Sequence, residues 1–404
     1  MAGALIPIAE ARHRILAAMT PLDTETVGLD NALGRVLAQD LTARLTQPPF
    51  AASAMDGYAV RAEDLPGGPK HLRLVGSIAA GETPARPLLP GETQRIFTGA
   101  PIPAGADTVI MQEEARPEGA QILFDLAAQP GKHVRPAGLD FREGEVALAA
   151  QRRLTVRDIG LAAAMNRPWL PVHRRARVAI LATGSELTLP GEPLGPAQIV
   201  SSNSFALSAF VRAAGGQPLL LPIVADDPAA LDQAIGAARR ADLLLTIGGA
   251  SVGDHDLVQR ALAARGLTLD FWRIAMRPGK PLIFGRLNDV PVLGLPGNPV
   301  SALLCALLFL RPALDRLHGL PGEGPIFVRV PTGAALAANG PRETYLRGRI
   351  DAQDRAVPLD LQDSAALSAL ARADCLIRRP VDAPALALGE PVEILRFDQA
   401  PFAF

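Results

Sequence analysis

The chain has 404 residues, 49% of them hydrophobic, and its 40 Lys plus Arg nearly cancel 41 Asp plus Glu. A chain of this length predicts about two to four domains with a sizeable core. The balanced charge excludes a polybasic nucleic-acid binder and an acidic disordered tail, and 4% aromatics leave too few rings for extended base stacking.

Gly and Pro, 37 of each, point to many defined turns without the Gly-X-Y period of collagen. Cys305 and Cys375 sit in apolar surroundings and read as core packing. Two cysteines make neither a disulfide framework nor a zinc site. No two of His13, His71, His133, His173, His255 and His318 stand at zinc-ligand spacing, which disfavours a soft-metal centre. The apolar run 302–310 falls far short of the roughly 20 residues a membrane span needs. Glu10 and Arg12-His13-Arg14 interrupt the N-terminal apolar pattern, so it does not read as a signal peptide, and a cytoplasmic protein is expected.

Ile8, Ala11, Ile15 and Met19 form one helical stripe. Residues 45–142 are β-rich: short runs at 57–61, 71–76, 95–98, 108–112 and 121–124 are separated by Pro and Gly clusters such as 65–69 and 101–105. Residues 155–167 read as helical. From 176 the pattern changes: strands at 178–181, 219–224, 243–247, 282–284 and 292–295 alternate with helices at 204–214, 227 onward, 256–264 and 299–310. That alternation predicts a doubly wound, parallel-type α/β sheet. Short strands return at 326–330, 344–350, 375–378 and 392–397, predicting a small β-barrel or sandwich. The expected fold class is α/β plus β modules. A helical region spans 1–44 with 143–172, an inserted β-rich domain 45–142, the α/β domain 173–320, and a C-terminal β-barrel 325–404.

Ligands of open α/β sheets bind outside the carboxyl ends of the strands. The loops there are distinctive: Thr183-Gly184-Ser185-Glu186, Asp226-Asp227, 248–254 with Gly248, Gly249, Ser251, Gly253 and Asp254, and Pro296-Gly297-Asn298-Pro299. Glycines let the backbone approach a ligand, and exposed N–H groups at a following helix start suit a phosphate. Glu186, Asp226, Asp254 and Asp256 fall on one rim, where like charges repel unless a cation joins them; hard oxygen ligands favour Mg²⁺. Asp227 before Pro228 reads as a helix cap. The counterpart is a basic cluster of Arg273, Arg277 and Lys280 around a Pro-Gly turn, whose guanidinium forks match oxyanions.

Gly249-Ala250-Ser251-Val252-Gly253 also fits a nucleophile elbow. A serine hydrolase using Ser251 then needs a later histidine. His255 is too near in the chain, and His318 ends a helix that points elsewhere. No Gly-x-x-x-x-Gly-Lys-Ser/Thr run occurs, which excludes a P-loop kinase.

Together these motifs resemble the MoeA family of molybdopterin molybdenumtransferases and are similar to the C-terminal domain of gephyrin. The resemblance rests on Pro48-Pro49-Phe50, Ser53-Ala54-Met55-Asp56-Gly57-Tyr58-Ala59, 97–103, Arg135, Gly138 and Asp140. It continues in Thr183-Gly184, Glu186-Leu187, Ser202-Asn203-Ser204, Gly248-Gly249, Ser251-Val252-Gly253, Arg277-Pro278-Gly279-Lys280-Pro281 and 295–301.

The resemblance implies an elongated four-part subunit whose region 1–44 with 143–172 serves dimerisation, a molybdopterin-binding-like α/β domain, and a homodimer. In that dimer Asp56, Thr98 and Asp140 of one subunit face Glu186, Asp226 and Asp256 of the other. The implied reaction inserts molybdenum from molybdate into adenylylated molybdopterin and releases AMP, with Mg²⁺ assisting. Implied catalytic residues are Asp56, Asp140, Glu186, Asp226 and Asp256. Implied metal ligands are Glu186, Asp226 and Asp254. Implied substrate contacts are Thr98, Arg135, Thr183, Gly184, Ser202, Asn203, Gly248, Gly249, Ser251, Gly253, Arg273, Arg277, Lys280, Pro296, Gly297, Asn298 and Pro299. A molybdopterin adenylyltransferase and downstream molybdoenzyme maturation proteins are the expected partners; nucleic acid and membrane are not. Ala51-Ala52, His133 and Leu139 depart from the family's Asp-Asn, Asn and Glu. A gephyrin-type, non-catalytic scaffold that binds molybdopterin or peptide is the competing reading. Retention of Asp56, Glu186, Asp226 and Asp256 favours the enzyme.

Overall fold

The computed structural model describes residues 5–225, 227–248 and 262–398. The chain forms two compact units, one of Met1–Glu25, Gly34–Ala38 and Val172–Phe404, the other of Thr26–Leu33 and Gln39–Pro171. No described helix is long and apolar enough to cross a membrane.

The smaller unit is built on a six-stranded sheet. Its strands lie in the order Thr108–Met111, Gly57–Val60, Glu92–Ile96, Pro66–Ile78, Gln121–Ala127, Ala115–Glu118. Tyr58, Val60, Leu72, Ile110, Ile122 and Phe124 fill one core, and Ala59, Ile78, Ile96 and Val109 a second. Adjacent residues of Gly57–Val60 thus serve opposite faces, as the two-residue period of a strand requires. The sequence predicts a separator at 65–69. The structure runs a strand through it, with the ladder shifting register between Pro66 and Pro69. Proline has no N–H to give a ladder, and a bulge accommodates it. The helix Val156–Ala164 is fixed by a capping box: Asp158 accepts from both the N–H and Oγ1 of Thr155 at 2.8 Å.

The larger unit carries the α/β sheet, ordered Gln217–Leu220, Arg177–Ala182, Leu243–Ile247, Val290–Leu295, Pro281–Leu287, Leu267–Arg273. The first four strands are parallel. Pro281–Leu287 runs antiparallel to both its neighbours, Val290–Leu295 and Leu267–Arg273, which corrects the expectation of a parallel-type sheet. The cause is local: Asn288-Asp289 joins two paired strands, and Asn288 adopts a φ of 54°. Two residues close a hairpin but cannot make a parallel crossover.

Helices cover both faces. Val178, Ile180 and Ala182 pack toward Ile8, Ala11 and Ile15 of the N-terminal helix and toward the helices Asn203–Ala213 and Pro299–Cys305. The alternating Ala179 and Leu181 pack with Leu231 and Ile235 of the helix Pro228–Ala237. The helix beginning at Pro299 continues through a wide turn, Ala306–Leu310, into Arg311–Leu317. Pro312 has no N–H for the preceding turn, which accounts for the widening.

The C-terminal sheet runs Met276–Arg277, Glu343–Ile350, Cys375–Arg379, Pro391–Arg396, Val328–Pro331, with Ala356–Pro358 beside Glu343–Ile350. A Thr332–Ala356 bridge brings its two ends together around Val330, Cys375, Ile377, Val392 and Ile394, giving a barrel-like curl.

Candidate active site

Three parallel strands of the α/β sheet end side by side. Thr183 N–H donates to the Ile247 carbonyl at 3.3 Å, and Gly248 N–H to the Leu295 carbonyl at 3.2 Å. A Cβ on Gly248 would stand 3.1 Å from the Thr183 carbonyl oxygen, and its φ is +85°. Only glycine meets both demands without strain. Asn203, at the first turn of Asn203–Ala213, donates to the Gly297 carbonyl at 2.6 Å, while its Oδ1 is buried with no partner.

The rim opens into a cleft of about 940 Å³. One wall is Gly248, Pro296-Gly297-Asn298 and Arg277-Pro278-Gly279-Lys280; the other comes from the C-terminal sheet and its loops. Two links join the walls. Met276 and Arg277 pair in parallel with Glu343 and Thr344, and Asn298 Nδ2 donates to Ser364 Oγ at 2.7 Å. Gly279 makes the basic turn possible: its φ is +108°, and an added Cβ would meet the Met276 side chain.

Among the described residues five cations line this cleft, Arg277, Lys280, Arg342, Arg347 and Arg379, against one carboxylate, Asp363. Arg347 is 1% exposed. Its Nη2 donates to the Leu361 and Asp363 carbonyls at 3.4 and 3.2 Å, and its Nε has no partner. Burial draws its pKa down, opposed by the Asp363 charge. An arginine nevertheless stays protonated at neutral pH. Between Thr344 and Gly348 no strand pairs with the outer edge of the strand carrying it: the Gln362 Oε1 accepts from Arg347 N–H at 3.0 Å, and the Arg347 carbonyl accepts from Gln362 Nε2 at 2.9 Å and from the Leu359 N–H at 2.8 Å.

Of the residues predicted from sequence, the structure gathers Gly248, Arg277, Lys280, Pro296, Gly297 and Asn298 in this cleft, with Asn203 bonded to its rim. Pro299 opens the helix that follows. Arg273 lies elsewhere: it ends an edge strand, and its guanidinium stacks on Trp272, 3.9 Å from the ring centroid. Thr183 is buried, Gly184 N–H donates to the Val224 carbonyl at 3.1 Å, and Ser202 precedes the helix that Asn203 begins without a side-chain capping bond. Glu186 is exposed at the end of the same strand and makes no ion pair among the described residues. Asp227 caps its helix through Ala229 and Ala230 N–H. Asp226, Gly249, Ser251, Gly253, Asp254 and Asp256 lie outside the described residues. Among the described residues no group of three or more His, Cys, Asp or Glu is placed to hold a metal ion.

Sequence reasoning missed Arg342, Arg347, Gln362, Ser364 and Arg379. Arg347 and Arg379 occupy the buried parity of their strands, where an apolar residue is usual. That parity is the signal that was available.

The smaller unit holds a second cluster. Asp56 Oδ1 accepts from both the N–H and Oγ1 of Thr98, each at 2.7 Å. These bonds, backbone first, lower its pKa, and Arg95 adds to the effect. Ala54 N–H bonds the His133 carbonyl, and Arg135 pairs with Ala52, so the loops bearing Asp56, Thr98 and Arg135 form one edge. Asp140 sits on the adjoining loop, its N–H bonded to the Gln47 carbonyl at 3.0 Å.

The described histidine and thiols do not supply a nucleophilic site. His318 is 4% exposed and accepts the Ala176 N–H at 3.1 Å, at the end of the sheet opposite the cleft. Cys305 is buried against the Gly279 carbonyl, and burial raises the Cys375 thiol to about 12.

Three regions of the chain match known families. Residues 6–166 match the family described as MoeA N-terminal region (domain I and II), 179–316 a probable molybdopterin binding domain, and 329–397 the MoeA C-terminal region (domain IV). A molybdopterin molybdenumtransferase of Nostoc sp. is 42% identical over 82% of this chain and 78% of its own length. Molybdopterin molybdenumtransferase 2 of Mycobacterium tuberculosis is 38% identical over 91% of this chain and 94% of its own. The crystal structure of the molybdopterin biosynthesis moea protein from Pyrococcus horikosii superposes with a TM-score of 0.85 at 31% identity, covering 98% of this chain and 100% of that one.

Proposed function

The chain belongs to the MoeA family of molybdopterin molybdenumtransferases, and from that we propose that it inserts molybdenum from molybdate into adenylylated molybdopterin, releasing AMP. The observation that carries the reading is the cleft whose described residues include five cations and one carboxylate. Molybdate is a tetrahedral dianion, and the phosphoanhydride adds further negative charge. Charge-assisted hydrogen bonds from buried guanidinium groups are the strong kind.

In this reading Arg347, Lys280 and Arg277 draw in and orient the oxyanion, and Ser364 and Asn298 help to position it. The backbone of Gly248 and of Pro296-Gly297 admits the substrate closely. Preorganised charge lowers the barrier, and no protein nucleophile is required. Mg²⁺ belongs to the same proposal. Glu186 offers an exposed carboxylate outside any ion pair among the described residues, which suits a hard cation. When bound, such a cation polarises phosphate oxygens. The proposal includes a homodimer in which Asp56, Thr98 and Asp140 of a second copy complete the cleft.

The test is direct: purified protein is given adenylylated molybdopterin and molybdate, with and without Mg²⁺, and AMP is measured. Formation of AMP that needs both molybdate and Mg²⁺ supports the reading; absence of AMP defeats it. The scaffold alternative predicts that cofactor synthesis in cells survives Glu186→Ala unchanged.

A further inference from the structure

Arg378 and Arg379 are neighbours on the strand Cys375–Arg379 and meet opposite fates. Arg378 is neutralised twice, by Glu343 at 2.9 Å and by Glu393 at 2.9 Å. Arg379 turns to the other face, is 4% exposed, and has no carboxylate partner among the described residues. Its Nη2 donates to the Ala337 carbonyl at 3.1 Å and to that of Pro384, and its Nε has no partner. A buried cation without counter-charge is costly, and a fold keeps one most readily where an anionic ligand supplies that charge.

The surroundings are a built site. Asn339 Nδ2 donates to the carbonyls of Arg379, Pro380 and Arg342 at 2.9, 2.7 and 2.9 Å, and Asn339 Oδ1 accepts from Thr344 Oγ1 at 2.9 Å. Leu336 and Leu386 exchange both backbone hydrogen bonds at 2.8 Å, which holds the two loops together. Arg342 adds a second cation at this end of the cleft.

The sheet register separates this end from the other. Thr344 pairs with Arg379, and directly opposed residues share a face, so Arg379 shares one with Thr344 and Leu346. Arg347, of the other parity, shares the opposite face with Tyr345. Two buried arginines therefore line one cleft from the two faces of one sheet.

We infer that the cleft has two oxyanion subsites, and that the one formed by Arg379 and Arg342, on backbone that Asn339 holds in place, takes a phosphate group while molybdate occupies the Arg347 side. This rests on the proposed function, whose substrate carries phosphate groups besides the incoming metal oxyanion. The subsite holds the substrate by a phosphate; the bond-making step lies elsewhere in the cleft.

The test uses the full-length protein, with inorganic phosphate and molybdate as probes in calorimetry and thermal unfolding. Phosphate stabilises the wild type and Arg347→Met, and Arg379→Met weakens it at least tenfold while molybdate affinity is kept. Phosphate still binds at saturating molybdate. Equal phosphate affinity in the wild type and Arg379→Met overturns the inference, and so does simple competition between the anions. Should Arg379→Met not fold, Arg379→Lys serves: it keeps the charge and loses the Nε–H, so phosphate weakens at an unchanged melting temperature. A wild type that makes no AMP but binds phosphate through Arg379 upholds the subsite and removes the transferase reading alone.

Discussion

Asn298 Nδ2 and Ser364 Oγ stand 2.7 Å apart, and Val300 N–H bonds the Ser364 carbonyl at 3.1 Å, so the helix that leaves the α/β sheet is tied to the loop beside Arg347. Asn298→Ala removes the side-chain bond and leaves the backbone one. The expected loss is about 1 kcal/mol of stability. AMP formation falls by more than that loss explains, because the cleft walls lose register. Calorimetric unfolding and turnover, measured on the same preparation, check the two effects.

Arg347 is buried with an unpartnered Nε, and Met fills a similar volume without charge. Met removes the desolvation cost of a buried charge that has no ion-pair partner among the described residues, which offsets the loss of the bonds to the Leu361 and Asp363 carbonyls. Arg347→Met is therefore expected to keep its melting temperature within a few degrees of wild type while molybdate affinity drops roughly tenfold or more. Titration calorimetry reads the affinity.

Thr98 holds Asp56 in its ionised form through two bonds. Thr98→Val deletes the hydroxyl donor and leaves the N–H. The carboxyl pKa, now lowered, moves back toward the ordinary Asp value of about 3.9. The acid limb of the pH–activity profile is expected to shift to higher pH, with activity near neutrality reduced several-fold by the looser side chain. An unshifted limb counts against a role for ionised Asp56.

Glu92 sits under Arg86 and Arg73, with the Leu89 N–H also donating to it, and its pKa falls to about 2, Arg86 contributing most. A depressed carboxyl pKa stabilises the fold above the unfolded value of about 4.3, and the contribution disappears as pH falls through the folded value. Part of the acid sensitivity between about pH 4.3 and 2 is therefore assigned to Glu92. Acid titration followed by circular dichroism should be flatter in that window for Glu92→Gln.

Much of this molecule is readable from residue order where the interactions are local. The stripe Ile8, Ala11, Ile15 and Met19 is buried as its spacing demands. The glycine-bearing loops do lie at the ends of parallel strands, because strand-then-helix alternation dictates it. The Asn288-Asp289 hairpin was also legible, since two turn residues between apolar runs admit no crossover; its signal was outweighed by the preceding alternation. The C-terminal wall of the cleft was not legible. Arg347 and Arg379 reach the site only through the long-range pairing of Arg277 with Thr344 and of Thr344 with Arg379, which no local pattern encodes.

The Gln362 amide and the Leu359 N–H together cover a strand edge beside Arg347 that no neighbouring strand pairs with. Unprotected edges are templates on which other chains add strands. A gap in strand pairing next to the cleft is thus closed by a side chain and one backbone bond, which leaves less of a template for self-association.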